Sequence, residues 1–257
     1  GSKTNQGFYK KSVNTDGTKE ILSLDLNTLE YRSAKRAKFA TLELTKTIDK
    51  VVDRFKILVS GKDKAGEFYR KSFTALFAYV SNRIPEITDD LYKIDDAMKA
   101  GFGWEHGPFQ IWDAIGVEKG IELMKAEGFE PAVWVTEMLA AGSTSFYIVK
   151  EGASYAYKIP TKTHTKIPGQ DSFIILDNIR KTNEVFKNSG VVIEDIGDGI
   201  LNLEFQSKMN TIGGDVLAGL NKAIDLAEKD FSGLVVGNQG ANFSVGANIG
   251  MIIMMAV

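Results

Sequence analysis

No cysteine occurs among the 257 residues of this chain. That absence excludes disulfides, thiolate nucleophiles and cysteine-ligated metals. A thiol-free chain also suits a reducing compartment, so a cytoplasmic location is the expectation. Histidine is nearly as scarce. His106 and His164 are the only two, far apart in the chain, and no metal site is expected from so few imidazoles. There is no apolar run of about 18 residues, so no membrane span is expected, and no apolar signal core at the N-terminus. A net charge of -2 and a pI near 5.9 leave no electrostatic case for nucleic acid as a partner. What is present is 44% hydrophobic and 25% charged residues, the composition of soluble globular domains. The length suits one large domain or two ordinary ones.

Residues 1–40 read as a tail and linker, with a short strand at Glu20–Leu24. Thr41 to Val59 has helical spacing, with Thr41 as its N-cap. Ala65 to Arg83 is an apolar helix ending before Pro85. Further helices are predicted over Ile87–Ala100, Val117–Glu127 and Pro131–Ala141, the last with Pro131 in its first turn. Phe146 to Ile159 reads as a hairpin turning at Glu151-Gly152. The polar stretch from Pro160 to Gln170 is the expected domain boundary, within a hairpin-and-linker region spanning 142–190. Beyond it the pattern is a hairpin (Val191–Ile196 and Ile200–Phe205), a helix from Ile212 to Glu228, a short strand at Gly233–Gly237 and a glycine-rich loop. The apolar end, Met251-Ile252-Ile253-Met254-Met255, predicts self-association into a homo-oligomer or a covering continuation.

The most informative run is residues 101–117, Gly-Phe-Gly-Trp-Glu-His-Gly-Pro-Phe-Gln-Ile-Trp-Asp-Ala-Ile-Gly-Val. Two Trp and two Phe interleaved with four Gly and a Pro describe a helix end, an aromatic-plugged turn and a new helix opening at Pro108. From the residues alone this is a buried helical junction. The run closely resembles the signature of the C-terminal helical domain of 3-hydroxyacyl-CoA dehydrogenases of fatty-acid β-oxidation. Lys3–Lys10 resembles a segment near the end of the first helical repeat of the same family. Ser81-Asn82-Arg83 resembles its Asn-Arg pair, which makes Asn82 a candidate substrate contact beside a structural role. His106 reads as a packed or capping residue, and Asp113 as the residue orienting the Trp104–Trp112 turn. No Gly-x-Gly-x-x-Gly follows a first strand, so the NAD that the resemblance implies would be bound by a domain absent from this chain, together with the family's catalytic His–Glu pair.

A second resemblance covers residues 191 to 250. The order hairpin, helix, buried strand and glycine-rich loop, with Met209-Asn210-Thr211-Ile212, Ala227-Glu228-Lys229-Asp230 and Phe243-Ser244-Val245-Gly246-Ala247-Asn248, is similar to the N-terminal part of the crotonase, or enoyl-CoA hydratase, family. There, backbone N–H groups stabilise the charge that develops on a thioester oxygen. The resemblance implies one such oxyanion N–H at Ala247, an acyl-CoA path along Phe243, Ser244, Val245 and Gly246, and a CoA entrance near Lys208, Met209 and Asn210. Gly237 and Gly240 are spaced one residue wider than the family's Gly-x-Gly, and Asn248 replaces the commoner Asp. The family's second oxyanion N–H and its catalytic glutamates belong downstream of this loop.

The expected fold is therefore a mostly α-helical dehydrogenase C-terminal domain at 41–141, then an α/β partial crotonase domain of ββα spiral type at 191–257. The expected function is that of a fragment of a fatty-acid β-oxidation enzyme that oxidises 3-hydroxyacyl-CoA with NAD and hydrates 2-enoyl-CoA. Acyl-CoA thioesters are its expected ligands. The alternatives are a non-catalytic acyl-CoA-binding or assembly module, favoured by binding without turnover, and a purely structural partner subunit, favoured by no CoA binding.

Overall fold

The computed structural model describes residues 3–4, 6–35, 37–240 and 242–251. The apolar end from Ile252 onward, on which the expectation of self-association rests, lies outside the described residues. Helices and three small sheets make a mixed α/β architecture, and among the described residues no helix is long and apolar enough to cross a membrane.

The N-terminal stretch is not a tail. β1 (Tyr9–Val13), β2 (Lys19–Leu24) and β3 (Tyr31–Ser33) form an antiparallel meander, in register from Tyr9 opposite Ser23 to Val13 opposite Lys19. The turn is set locally, with the Asp16 carboxylate accepting the Thr18 N–H at 2.9 Å and Gly17 at φ +82°. Phe8, Tyr9 and Val13 stay exposed, so the strands lack the alternation that would reveal them.

The single helix expected over 41–59 is two: α1 (Ala40–Thr45) and α2 (Val51–Ser60). Thr41 is not an N-cap but lies inside α1. Its N–H and hydroxyl donate to Asp63 at 2.9 and 2.7 Å. Asp63 in turn caps α3 (Lys64–Asn82) by accepting the Gly66 N–H at 3.0 Å. These bonds, Gly66 first and Thr41 next, hold its carboxyl at a pKa of about 2. α4 (Leu91–Phe102) begins later than the Ile87 expected. α5 (Pro108–Ile115) opens with Pro108 in its first turn, and α6 (Val117–Ala126) follows directly. α7 (Val133–Ala140) starts two residues beyond Pro131, where the Ser81 hydroxyl takes the Ala132 N–H at 3.2 Å.

The core under these helices is aromatic. Phe77 stacks on Trp112 at 4.9 Å, and Phe146 meets Trp112 and Phe109 edge-on at 5.0 Å. All four rings, with Met124 and Met138, are fully buried. Gly120 is required here: a Cβ would fall 2.1 Å from Trp112 Nε1, the atom that donates to the Val117 carbonyl at 3.0 Å.

β4 (Tyr147–Lys150) and β5 (Ala153–Lys158) form the expected hairpin, with Glu151 and Gly152 both at positive φ as a two-residue turn demands. β6 (Thr163–Lys166) adds a third strand, so the boundary expected over 160–170 runs through an ordered sheet. The linker beyond it contains α8 (Leu176–Ile179) and β7 (Glu184–Lys187).

The third sheet has the order β10-β9-β8-β7. β8 (Val191–Asp195) and β9 (Ile200–Phe205) are antiparallel, while β10 (Gly233–Val236) runs parallel to β9 after the crossover helix α9 (Gly214–Asp230). Strand alternation sends Val191, Ile193, Leu201, Leu203 and Phe205 against Val216 and Ala223 of α9. The opposite face carries Glu194, Asn202 and Glu204. Arg180 reaches it, bonding Glu204 at 2.8 and 3.0 Å.

Candidate functional site

A cleft of about 710 Å³ opens where the glycine-rich loop passes the start of α9. Ile212, just before α9, makes a parallel bridge to Ala247: its N–H donates to the Gly246 carbonyl and its carbonyl accepts the Asn248 N–H, both at 2.9 Å. That pairing explains why α9 starts two residues later than the sequence predicts. It also turns the N–H of Ala247 itself away from Ile212, as the alternation of a bridged strand requires. Ala247 lines the cleft with Lys208, Val245, Asn248 and the Gly213-Gly214-Asp215 start of α9. Among the described residues, no hydrogen-bond acceptor for the Ala247 N–H is found.

The loop is shaped by its own side chains. Gly246 sits at φ +96°, so the left-handed position falls here rather than at Gly237, whose N–H continues the ladder to Leu203 at 3.1 Å. The Ser244 hydroxyl donates to the Asn210 carbonyl at 2.6 Å and accepts the Gly246 N–H at 3.0 Å. Asn248 serves as a cap, its side-chain oxygen accepting the Met251 N–H at 3.2 Å at the helical turn of residues 249–251.

The sequence-expected residues separate into groups. Ala247, Val245 and Lys208 line the cleft. Lys208 is largely exposed and lies 3.7 Å from Asp49. Met209 is exposed at positive φ. Asn210 donates to the Asn242 carbonyl of the loop at 2.9 Å. Phe243 is exposed yet sits 5.7 Å from the Phe205 ring. Asn82 is not at the cleft. It closes the end of α3, donating to the Ala78 and Glu130 carbonyls at 2.9 and 3.4 Å.

The aromatic junction holds a buried carboxylate, Asp95, and a half-buried one, Asp113. Asp113 does not orient the Trp104–Trp112 turn. It accepts the N–H groups of Phe146 and Tyr147 at 2.8 and 2.9 Å, fastening β4 to α5. Asp95, which the sequence reading passes over, accepts the N–H groups of Phe109 and Gln110 at 2.9 and 3.0 Å and the Tyr147 hydroxyl at 2.8 Å. Burial outweighs these donors and raises Asp95 to about 6 and Asp113 to about 7. Burial also drives the Tyr147 hydroxyl upward, with Asp95 adding to the effect. His106 lies edge-on to Phe55 at 5.8 Å, and burial lowers its pKa. Among the described residues no cluster of three or more His, Cys, Asp or Glu could hold a metal.

The dinucleotide expected from the resemblance finds no cradle among the described residues. The parallel strand–helix–strand unit, β9-α9-β10, opens its helix with Gly213-Gly214-Asp215. A carboxylate stands where a pyrophosphate would need donors.

No family model matches the chain, and no solved structure matches it. Among curated proteins, one from Bacillus subtilis (strain 168) named "Probable 3-hydroxyacyl-CoA dehydrogenase" is 38% identical over 255 residues, covering 99% of this chain and 31% of that protein. Two named "Putative fatty acid oxidation complex trifunctional enzyme" are more distant. The one from Rickettsia felis is 23% identical and the one from Rickettsia prowazekii 24%, each over 253 residues, 98% of this chain and 30% of theirs. The chain thus spans about a third of the length of these relatives, and along nearly all of its own length it is similar to proteins named for 3-hydroxyacyl-CoA dehydrogenation and fatty-acid oxidation.

Proposed function

We propose that this chain is a segment of a multifunctional fatty-acid oxidation enzyme that oxidises 3-hydroxyacyl-CoA with NAD and hydrates 2-enoyl-CoA. Its proposed parts are a dehydrogenase-type helical domain and the opening portion of a crotonase-type domain. The observation that carries the reading is the Ala247 N–H, turned from its strand partner at the wall of the cleft. Adding water to an enoyl thioester places negative charge on the thioester oxygen. A backbone donor already fixed in place stabilises that charge without reorganising. Lys208 would meet the phosphates of CoA as an exposed cation, and Val245 would contact the acyl or pantetheine chain.

Hydration also needs paired carboxylates to activate water and protonate carbon. Among the described residues Asp215 is the carboxylate lining the cleft, and Ser189 donates a hydrogen bond to it. The chain by itself is therefore expected to bind acyl-CoA without turning it over, and NAD to act through residues outside it. The test is calorimetric titration with butyryl-CoA and with its thioether analogue S-butyl-CoA, which lacks the carbonyl. Tighter binding of the thioester, reduced to the thioether level in Ala247→Pro, supports the reading. Equal affinity for both ligands overturns the oxyanion role. No binding of either leaves a structural subunit as the better description.

A further inference from the structure

A strap crosses from the β4–β6 sheet to the glycine-rich loop, and one side chain joins it to the loop. Residues 171–183 contain α8, and the strap is fastened at three places. Asn178 donates to the Gly152 carbonyl at 3.2 Å and to the Ser154 hydroxyl at 2.9 Å, tying it to the β4-β5 hairpin. Arg180 forks onto Glu204 of β9. The third tie is Gln239, in the loop itself. Its Oε1 accepts the Leu176 N–H at 2.8 Å and its Nε2 donates to the Ile174 carbonyl at 2.5 Å. One amide thus satisfies a donor and an acceptor two residues apart, as a neighbouring strand would.

From the strap the constraint passes along the loop. Asn238, adjacent to Gln239, accepts the Phe205 N–H at 2.6 Å and donates to the Phe243 carbonyl at 2.9 Å. Asn210 and Ser244 then hold the stretch from Asn242 to Gly246, which leads directly to Ala247. The side chains of Asn238, Gln239 and Ser244 are all spent on holding the loop's backbone. We infer that Gln239 is a positioning residue: it fixes the loop that presents the Ala247 N–H by binding it to the strap, and so makes the loop's geometry depend on a segment outside the strand–helix–strand unit. Only the ligand arm of the test rests on the acyl-CoA reading.

The experiment is amide hydrogen exchange, resolved by peptide, on the whole chain and on Gln239→Ala, Gln239→Glu and Asn178→Ala. Gln239→Ala removes both strap bonds and is expected to speed exchange of the loop's bonded amides, Gly246 (to Ser244) and Asn248 (to Ile212), roughly fivefold to tenfold, leaving α3, α5 and β8 unchanged. Gln239→Glu keeps the acceptor for Leu176 N–H and falls between. Asn178→Ala does not touch the loop, yet it frees the strap and speeds the same peptides to a smaller degree. The second readout is the ratio of butyryl-CoA to S-butyl-CoA affinity, which a purely structural loss would not change selectively. It is expected to fall in Gln239→Ala.

Unchanged loop exchange in Gln239→Ala, or faster exchange spread over every element, overturns the inference. Should Gln239→Ala fail to fold, unchanged loop exchange in Asn178→Ala overturns it equally. A wild-type chain with no thioester preference, but with loop exchange that responds to Gln239, would sink the acyl-CoA reading and leave the positioning role standing.

Discussion

The helical half and the strand–helix–strand half of this chain solve burial differently. Around Trp112 the core is sealed by stacked and edge-on rings and two buried methionines, with only Gln110, Asp113 and Ala114 of α5 half-exposed. The β8–β9 sheet has a dry face under α9 and an ionic one beneath Arg180, where Glu194 is fully buried with one oxygen lacking a hydrogen bond and 3.7 Å from the guanidinium. Its margin also leaves Leu217, Ile224, Val235 and Val236 substantially exposed. An aromatic core draws its stability from apolar area removed from water. The other half draws on a charge arrangement that is stable only while all its members are present.

Trp112→Ala should give the largest effect, about 3–5 kcal/mol lost, measured by denaturant unfolding followed through Trp104 and Trp134. Loss of the helical signal before the β-sheet signal would show that the two halves unfold separately. Arg180→Ala comes next, about 3 kcal/mol, because it removes the cation that Glu204 and Glu194 share. The cost should fall on the β8–β9 half, and Arg180→Ala made together with Glu204→Gln should recover part of it. A matched pair of small changes follows. Gly120→Ala drives a Cβ into Trp112, and Gly219→Ala drives one to 2.2 Å from Val191 Cγ2. Each should cost about 1–3 kcal/mol, with the larger loss at Gly120 if the sealed core yields less.

The smallest expected effect is pH dependence. Asp95 and Asp113 are raised in the fold, to about 6 and about 7, so the native state holds their protons more tightly than the unfolded chain does. Stability from this source is complete below the ordinary carboxylate pKa near 3.8 and is lost as pH rises through 6 and 7. The melting temperature should fall between pH 5 and pH 8. In Asp113→Asn the part of that slope near pH 7 should disappear, and an unaltered slope would refute the assignment.

Features with local causes were readable in the sequence. Pro108 opens α5, Glu151-Gly152 turns a hairpin, and Gly197-Asp198-Gly199 joins β8 to β9, each through the backbone preferences of the residues involved. The break between α1 and α2 was not readable, since no Gly or Pro marks it. It is held by Arg54 donating to the Ile48 and Asp49 carbonyls, a contact that exists only once the turn is made. At the candidate cleft, the resemblance singles out Ala247 and Val245, and both line it; their roles there are proposals. The tie from Asn210 to the Asn242 carbonyl carries no sequence signal, because an exposed polar residue and an inward tie have the same letter. Gln239 and Asp95 went unnoticed because their partners lie elsewhere in the chain, at Ile174–Leu176 and at Tyr147.

Asp95 also bears on the order in which the protein assembles. Its bonds to Phe109 and Gln110 close short loops of 14 and 15 residues, whereas its bond to Tyr147 spans 52. Loop-closure entropy favours the short pair, so the α4–α5 corner can form early and then serve as a prepared landing place for β4. Gly107 allows that corner to close: any Cβ there would lie 2.3 Å from the Asp95 Cα. The glycine-rich aromatic turn thus bears on the order in which contacts form as well as on the packing of the finished fold.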